Sequence, residues 1–143
     1  QQQQADLHQA DLHQADLHQA VQALIQRQVS RQQAQVHQMQ AAANRKQAYS
    51  QLGKPYVWGA CGPDSFDCSG FVSYCLTGSY TRIGTTTTFM GWTRVSNPQP
   101  GDVVTTANHC GIYIGNGQMI HAPHTGDVVK VGPVQSGMIY VRR

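Results

Sequence analysis

An α+β fold is predicted by three features of the chain. Residues 1–47 are rich in Gln and Ala and hold neither Gly nor Pro, a composition that favours helix. A Gly- and Pro-bearing loop then runs into an apolar stretch of helical character, Phe71-Val-Ser-Tyr-Cys-Leu76. After Pro98-Gln-Pro-Gly101 come five short β-prone runs parted by Gly, Asn and Pro. Helices that precede strands, rather than alternate with them, indicate α+β. The expected architecture is a long Gln/Ala-rich helix, then a domain whose N-terminal helices pack on an antiparallel sheet of about five strands.

The first helix opens with three copies of Ala-Asp-Leu-His-Gln, Ala5–Gln9, Ala10–Gln14 and Ala15–Gln19. A five-residue period advances about 140° per repeat on an α-helix, so Leu7, Leu12 and Leu17 spread around the axis. The same geometry sets His8, His13 and His18 on different faces, which argues against a shared metal. From Leu17 onward Val21, Leu24, Ile25, Val29, Val36 and Met39 follow helical spacing and make a modest stripe. Residues 1–47 thus read as a solvated helical extension, frayed at its start, and as a candidate for self-association; residues 48–143 read as the folded domain. The helix continues through Ala41–Leu52, with Gly53 as its stop and Pro55 just beyond.

Ser79–Gln99 reads as irregular, with the run Thr85-Thr-Thr-Thr88 and Trp92 inside it. The strands are expected at Val103–Thr105, Cys110–Ile114, Met119–Ala122, Val128–Val131 and Met138–Val141.

Composition excludes several functions. The net charge of +3 comes from scattered Lys and Arg, with no basic run and no basic-aromatic pattern for nucleic acid. Glutamate is absent, which removes Glu-based acid/base pairs and the HExxH zinc motif. No apolar run reaches the roughly 18 residues of a membrane span. The chain opens on four glutamines instead of the charged start and apolar run of a signal peptide, so none is visible. Cys61, Cys68 and Cys75 are spaced by seven, unlike the tight pairs of zinc sites. No metal or cofactor is expected.

Chemistry concentrates at Asp67-Cys-Ser-Gly70. Cys68 falls at the start of a helix, where free backbone N–H groups and the positive dipole end favour a thiolate. A buried structural cysteine is the plain alternative. The helix start, the neighbours Asp67 and Ser69 and the open-loop approach argue against it. His109 and His121 lie in strand-like runs downstream, and one thiol with two histidines is the raw material of a cysteine hydrolase. With Cys68 as nucleophile, Cys61, Cys75 and Cys110 can form at most one disulfide. Cys75 and Cys110 read as small core residues.

Five motifs in order, Pro55-Tyr-Val-Trp-Gly59, Asp67-Cys-Ser-Gly70, Pro100-Gly-Asp102, His109-Cys-Gly-Ile-Tyr-Ile-Gly115 and Ile120-His-Ala-Pro123, resemble the NlpC/P60 family of papain-like cysteine peptidases. The resemblance covers about residues 48–143. It implies a secreted, cell-wall-associated endopeptidase that cleaves the γ-D-glutamyl–diamino acid bond of peptidoglycan stem peptides. Cys68 would be the nucleophile, His109 the base and His121 the residue that orients it. Tyr56 would line the cleft, and Asp67 with Ser69 would recognise the free amine of an L-Ala terminus. Asp67 reads equally as a helix N-cap. Trp58 would be core or cleft wall. The alternatives are a CHAP-like amidase and a catalytically silent wall-binding module.

One geometric expectation concerns the hairpin between the histidines. A two-residue Asn116-Gly117 turn would pair Gly115 with Gln118 and set His121 opposite Ile112, on the wrong face. A three-residue loop Gly115-Asn-Gly117 pairs Ile114 with Gln118 and sets His121 opposite Gly111, beside His109; this longer loop is predicted. His124, of opposite strand parity and before a Thr125-Gly126 turn, reads as a loop or cleft-rim residue.

Overall fold

A computed structural model describes residues 1–143 as three helices and six strands. Helix α1 spans Gln2–Ser50, α2 Cys68–Thr77 and α3 Thr86–Met90. Strands β1 (Thr93–Arg94), β2 (Val103–Thr105), β3 (Cys110–Gly115), β4 (Gln118–His121), β5 (Lys130–Pro133) and β6 (Ile139–Arg142) form one antiparallel sheet. Their order across the sheet is β1-β6-β2-β3-β4-β5. The chain forms two compact units, Gln1–Gln38 and Met39–Arg143.

In the first unit the absence of Gly and Pro lets one helix run from Gln2 without a break. Its apolar side chains stay in water: Leu7, Leu12, Leu17, Val21, Leu24, Ile25, Val29 and Val36 are all exposed. The second unit begins eight or nine residues before the composition change at residue 47. The last turns of α1 belong to it because Ala41, Asn44 and Ala48 are buried there. Asn44 Nδ2 donates to the Gly101 carbonyl at 3.0 Å and Arg45 Nη1 to that of Pro100 at 2.8 Å. These bonds tie α1 to the Pro100-Gly-Asp102 turn. The buried Asp102 carboxylate in turn takes Arg142 from β6 in a two-pronged pair, at 2.7 and 3.1 Å.

The core lies between α2 and the sheet. Phe71, Val72 and Cys75 on α2 meet Val103, Cys110, Ile112, Ile120 and Val141, all at most 2 % exposed. Full burial of Phe71 or Val72 contributes roughly 1.5–3 kcal/mol each. Asp67 caps α2, accepting from Gly70 N at 2.7 Å, and Gly78 ends the helix in the left-handed region at φ 71°.

Two parts depart from expectation. Ser79–Gln99 is ordered into α3 and β1, so the sheet has six strands instead of about five. β1 has only two residues and α3 only five, too short for a periodic signal. The fourth predicted strand also shifts: β5 is Lys130–Pro133, because Val128 and Val129 pair with the Gly53–Tyr56 segment. Gly53 N donates to Val129 O at 2.8 Å and Tyr56 N to Asp127 O at 2.9 Å. That pairing fixes Tyr56 beside the head of α2.

The hairpin gives a different loop and the predicted register. Gly115 pairs with Gln118 across a two-residue Asn116-Gly117 turn whose φ values are 54° and 71°. Positive φ at both positions is what an Asn-Gly turn of this length requires. A bulge between Tyr113 and Gly115 takes up one residue, so Tyr113 pairs with Met119 and Ile112 with Ile120. His121 therefore comes alongside Gly111 after all. A Cβ added at Gly111 would lie 3.1 Å from His121 Cβ.

Candidate active site

Cys68 is the first residue of α2 and half-buried, so its sulfur sits where the backbone N–H groups of the first turn are free. The loop before it is held by hydrogen bonds to Asp67, whose N–H donates to Ala60 O at 2.8 Å and whose Oδ2 accepts from Gly59 N at 3.0 Å. The thiol is lowered from 9.0 to about 5. The Cys110 thiol contributes a hydrogen bond, burial opposes, and His109 lowers it through a hydrogen bond and its charge. An S–H is a weak donor, so the imidazole, which can also take the proton, is the partner with chemical consequence. Cys110 is fully buried and its own thiol is pushed well up by burial, which keeps it protonated.

His109 immediately precedes β3 and is held by a tight turn. Thr106 N donates to His109 O at 2.8 Å, and His109 N donates to Thr106 Oγ1 at 3.1 Å. His121 closes β4 and is 5 % exposed. His109 Nε2 lies 2.7 Å from His121 Nδ1, the rings inclined at 69°. Burial first, then the charges of His109 and Lys130, lower His121 to about 4. It is therefore neutral at pH 7, and its Nδ1 shares one proton with His109 Nε2 in the tautomer that pairs them. Its other nitrogen faces Gly132 on β5, where an added Cβ would fall 2.8 Å from His121 Nε2. Any side chain at that position would push the ring toward His109.

A cleft of about 380 Å³ opens over Cys68. Tyr56, Trp58, Gly59, Asp67 and Ser69 line it together with Arg82, Thr85, Thr86 and Asn108. Tyr56 is held protonated by burial and by the neighbouring Cys68 charge. Trp58 is 83 % exposed at the cleft, so it is a wall and not a core residue. Asp67 and Ser69 are both bonded to Arg82: Nη2 to Asp67 Oδ2 at 2.8 Å and Nη1 to Ser69 Oγ at 2.5 Å. His124 stands outside the histidine pair, exposed on a loop and 3.6 Å from Asp127. All four cysteines are free thiols.

Sequence reasoning missed Arg82, Gly132 and the far wall of Thr85, Thr86 and Asn108. Arg82 did carry a signal, being the one Arg or Lys between Lys54 and Arg94. Gly132 carried none, because its contact is set by strand pairing.

The chain is similar to several known proteins. The model of the NlpC/P60 family matches residues 53–142. A "Probable endopeptidase p60" of Listeria grayi is 45% identical over 89 residues, which are 56% of this chain and 17% of that protein. A "Probable endopeptidase" of Mycobacterium tuberculosis is 38% identical over 104 residues, 67% of this chain and 27% of its own. Among solved structures, the NlpC/p60 domain of peptidoglycan hydrolase SagA is 38% identical, covering 72% of this chain and 98% of that one with a TM-score of 0.59. The peptidoglycan hydrolase RipB of Mycobacterium tuberculosis is 29% identical, with 73% and 65% covered and a TM-score of 0.61. The chain thus spans well under a third of the curated relatives it matches. With the family model covering most of the second unit, the chain belongs to the NlpC/P60 family.

Proposed function

We propose that the chain is a secreted cysteine endopeptidase that cleaves the γ-D-glutamyl–diamino acid bond of peptidoglycan stem peptides. Cys68 is its nucleophile, His109 its base and His121 its orienting residue. The observation that carries the reading is the 2.7 Å approach of His109 Nε2 to His121 Nδ1 beside a thiol lowered to about 5 at a helix start. Relatives named as endopeptidases and neighbours described as peptidoglycan hydrolases support the substrate class. A cell-wall substrate lies outside the cytoplasmic membrane, hence the export; no helix is long and apolar enough to cross a membrane.

The chemistry follows from the placement. The Cys68 thiolate attacks the γ-carbonyl carbon, and the oxyanion that forms meets the Cys68 backbone N–H at the helix start. His109, charged and held by His121, gives its proton to the departing amine as the C–N bond breaks, leaving a thioester on Cys68. Neutral His109 then takes a proton from water, whose oxygen attacks the thioester. The carboxylate product leaves and the thiolate–imidazolium pair returns. Tyr56 and Trp58 border the bound peptide, and Asp67 with Ser69 forms the floor on the acyl side.

The test incubates the protein and its Cys68→Ala variant with defined muropeptides and reads products by mass spectrometry. Release of a fragment beginning with the diamino acid by the parent alone is the expected result. Cleavage at another bond, or turnover that survives the substitution, would refute the assignment.

A further inference from the structure

Residues 1–38 hold a charge pattern that the catalytic chemistry does not use. Their acidic residues, Asp6, Asp11 and Asp16, all precede their basic ones, Arg27 and Arg31, and the segment has no lysine or glutamate. One unbroken helix carries both blocks, so it is negative toward its start and positive further along.

An apolar face runs beside these charges. At about 100° per residue, Leu17, Val21, Leu24, Ile25, Val29 and Val36 fall within about 140° of the circumference, and Leu7 falls in the same sector. Those six are 39–62 % exposed, so nothing within the chain covers this face. Gln28, Gln32 and Gln35 interrupt it, which makes it a weaker seam than an unbroken heptad stripe.

Charge decides what can lie on it. A second copy placed parallel and in register sets aspartates against aspartates and arginines against arginines. Turned antiparallel about a two-fold axis at Val21, the copy sets Asp11 level with Arg31. Asp16 then lies within one residue of Arg27, about 1.5 Å along the axis. The same axis sets Leu17 level with Ile25 and Val21 against its own counterpart. It also overlaps residues 4–38 with themselves, about 50 Å of helix, which pairs nearly all of the first unit. Helices packed about 8–10 Å apart keep these charges on the scale of the Debye length at physiological salt. The apolar face supplies most of the adhesion, and the charges set its direction.

We propose that residues 4–38 pair with a second copy of this chain as an antiparallel two-helix assembly centred on Val21. The pairing is independent of the endopeptidase reading and holds whatever bond Cys68 attacks.

Sedimentation equilibrium of the full chain tests it. The parent should be a dimer that weakens as sodium chloride rises, because salt screens the attraction between opposite blocks. Asp11→Arg with Asp16→Arg turns that attraction into repulsion on both sides of the axis. At low salt this pair of changes should weaken the dimer by about tenfold. Adding Arg27→Asp and Arg31→Asp to the same chain restores opposite charges across the axis and should restore the dimer, which separates lost pairing from lost helix. A parent that stays monomeric at about 100 µM, or that assembles beyond two copies, overturns the proposal. A dimer that tightens with salt, or that is indifferent to the first two changes, overturns it too, since parallel copies behave that way. Failure of the fourfold variant to regain the parent's affinity overturns it as well.

Discussion

The two halves of the candidate site are built in opposite ways. The Cys68 half is local: Asp67 caps α2, the cap fixes the helix start, and Cys68 is the next residue. The histidine half is long-range, because His109 and His121 come from two strands and meet only if the hairpin keeps one register. A local half tolerates change elsewhere in the fold, whereas a register-built half depends on the residues between its members. The most damaging substitutions should therefore fall on the histidine side, with the helix side needing direct removal of Cys68.

His109→Ala tests that contrast most severely. It should lower kcat/KM by roughly 10²–10⁴-fold with the fold retained, as expected when a general base is removed. Far-ultraviolet circular dichroism beside the kinetics would check the fold; near-parental activity would remove His109 from the mechanism.

His121→Ala comes next. It should reduce kcat on the order of 10²-fold with little change in KM, since His121 is bonded to His109 and does not line the cleft. A change confined to KM would move His121 from orientation to binding.

Legibility in the sequence follows the same division. The place of Cys68 at a helix start could be read because cap, cysteine and first turn sit within four consecutive residues. The order of helices and strands could be read because Gly, Asn and Pro punctuate it. The hairpin was harder. Asn116-Gly117 signals a two-residue turn, and the His109–His121 pairing demands the register of a longer loop; the bulge at Ile114 satisfies both. Nothing in residues 110–121 marks a bulge, which arises from the packing of the sheet. Arg82 lay in a stretch without periodicity, so its bond to Asp67 across 15 positions was invisible. In residues 1–38 a helical pattern was legible, and the apolar side chains there are exposed.

Gly132 sharpens the comparison from a third strand. Gly132→Val introduces a side chain 2.8 Å from His121 Nε2 at its first carbon. Activity should fall by about tenfold, with kcat affected more than KM, while a melting curve shows a smaller loss than a core truncation would. Unaltered kinetics would mean that the His121 ring is not positioned through this contact.

Cys110→Ala should have the smallest effect. Removing a buried thiol that hydrogen-bonds Cys68 should raise the Cys68 titration from about 5 toward its ordinary 9.0, without abolishing turnover. An unshifted titration would assign the acidity to His109 and the helix start alone.

The most direct measurement is the pH dependence of Cys68 alkylation by iodoacetamide, followed by mass spectrometry of the peptide that carries it. A folded-state value near 5, below the ordinary 9.0, means that the reactive thiolate forms as pH rises through about 5 and is lost as pH falls through it. The account predicts a rate that climbs around pH 5 in the parent and a midpoint moved upward in His109→Ala. A parent rate that climbs only near pH 9 would contradict it, because Cys68 would then be an ordinary thiol and the histidine pair would not act on it.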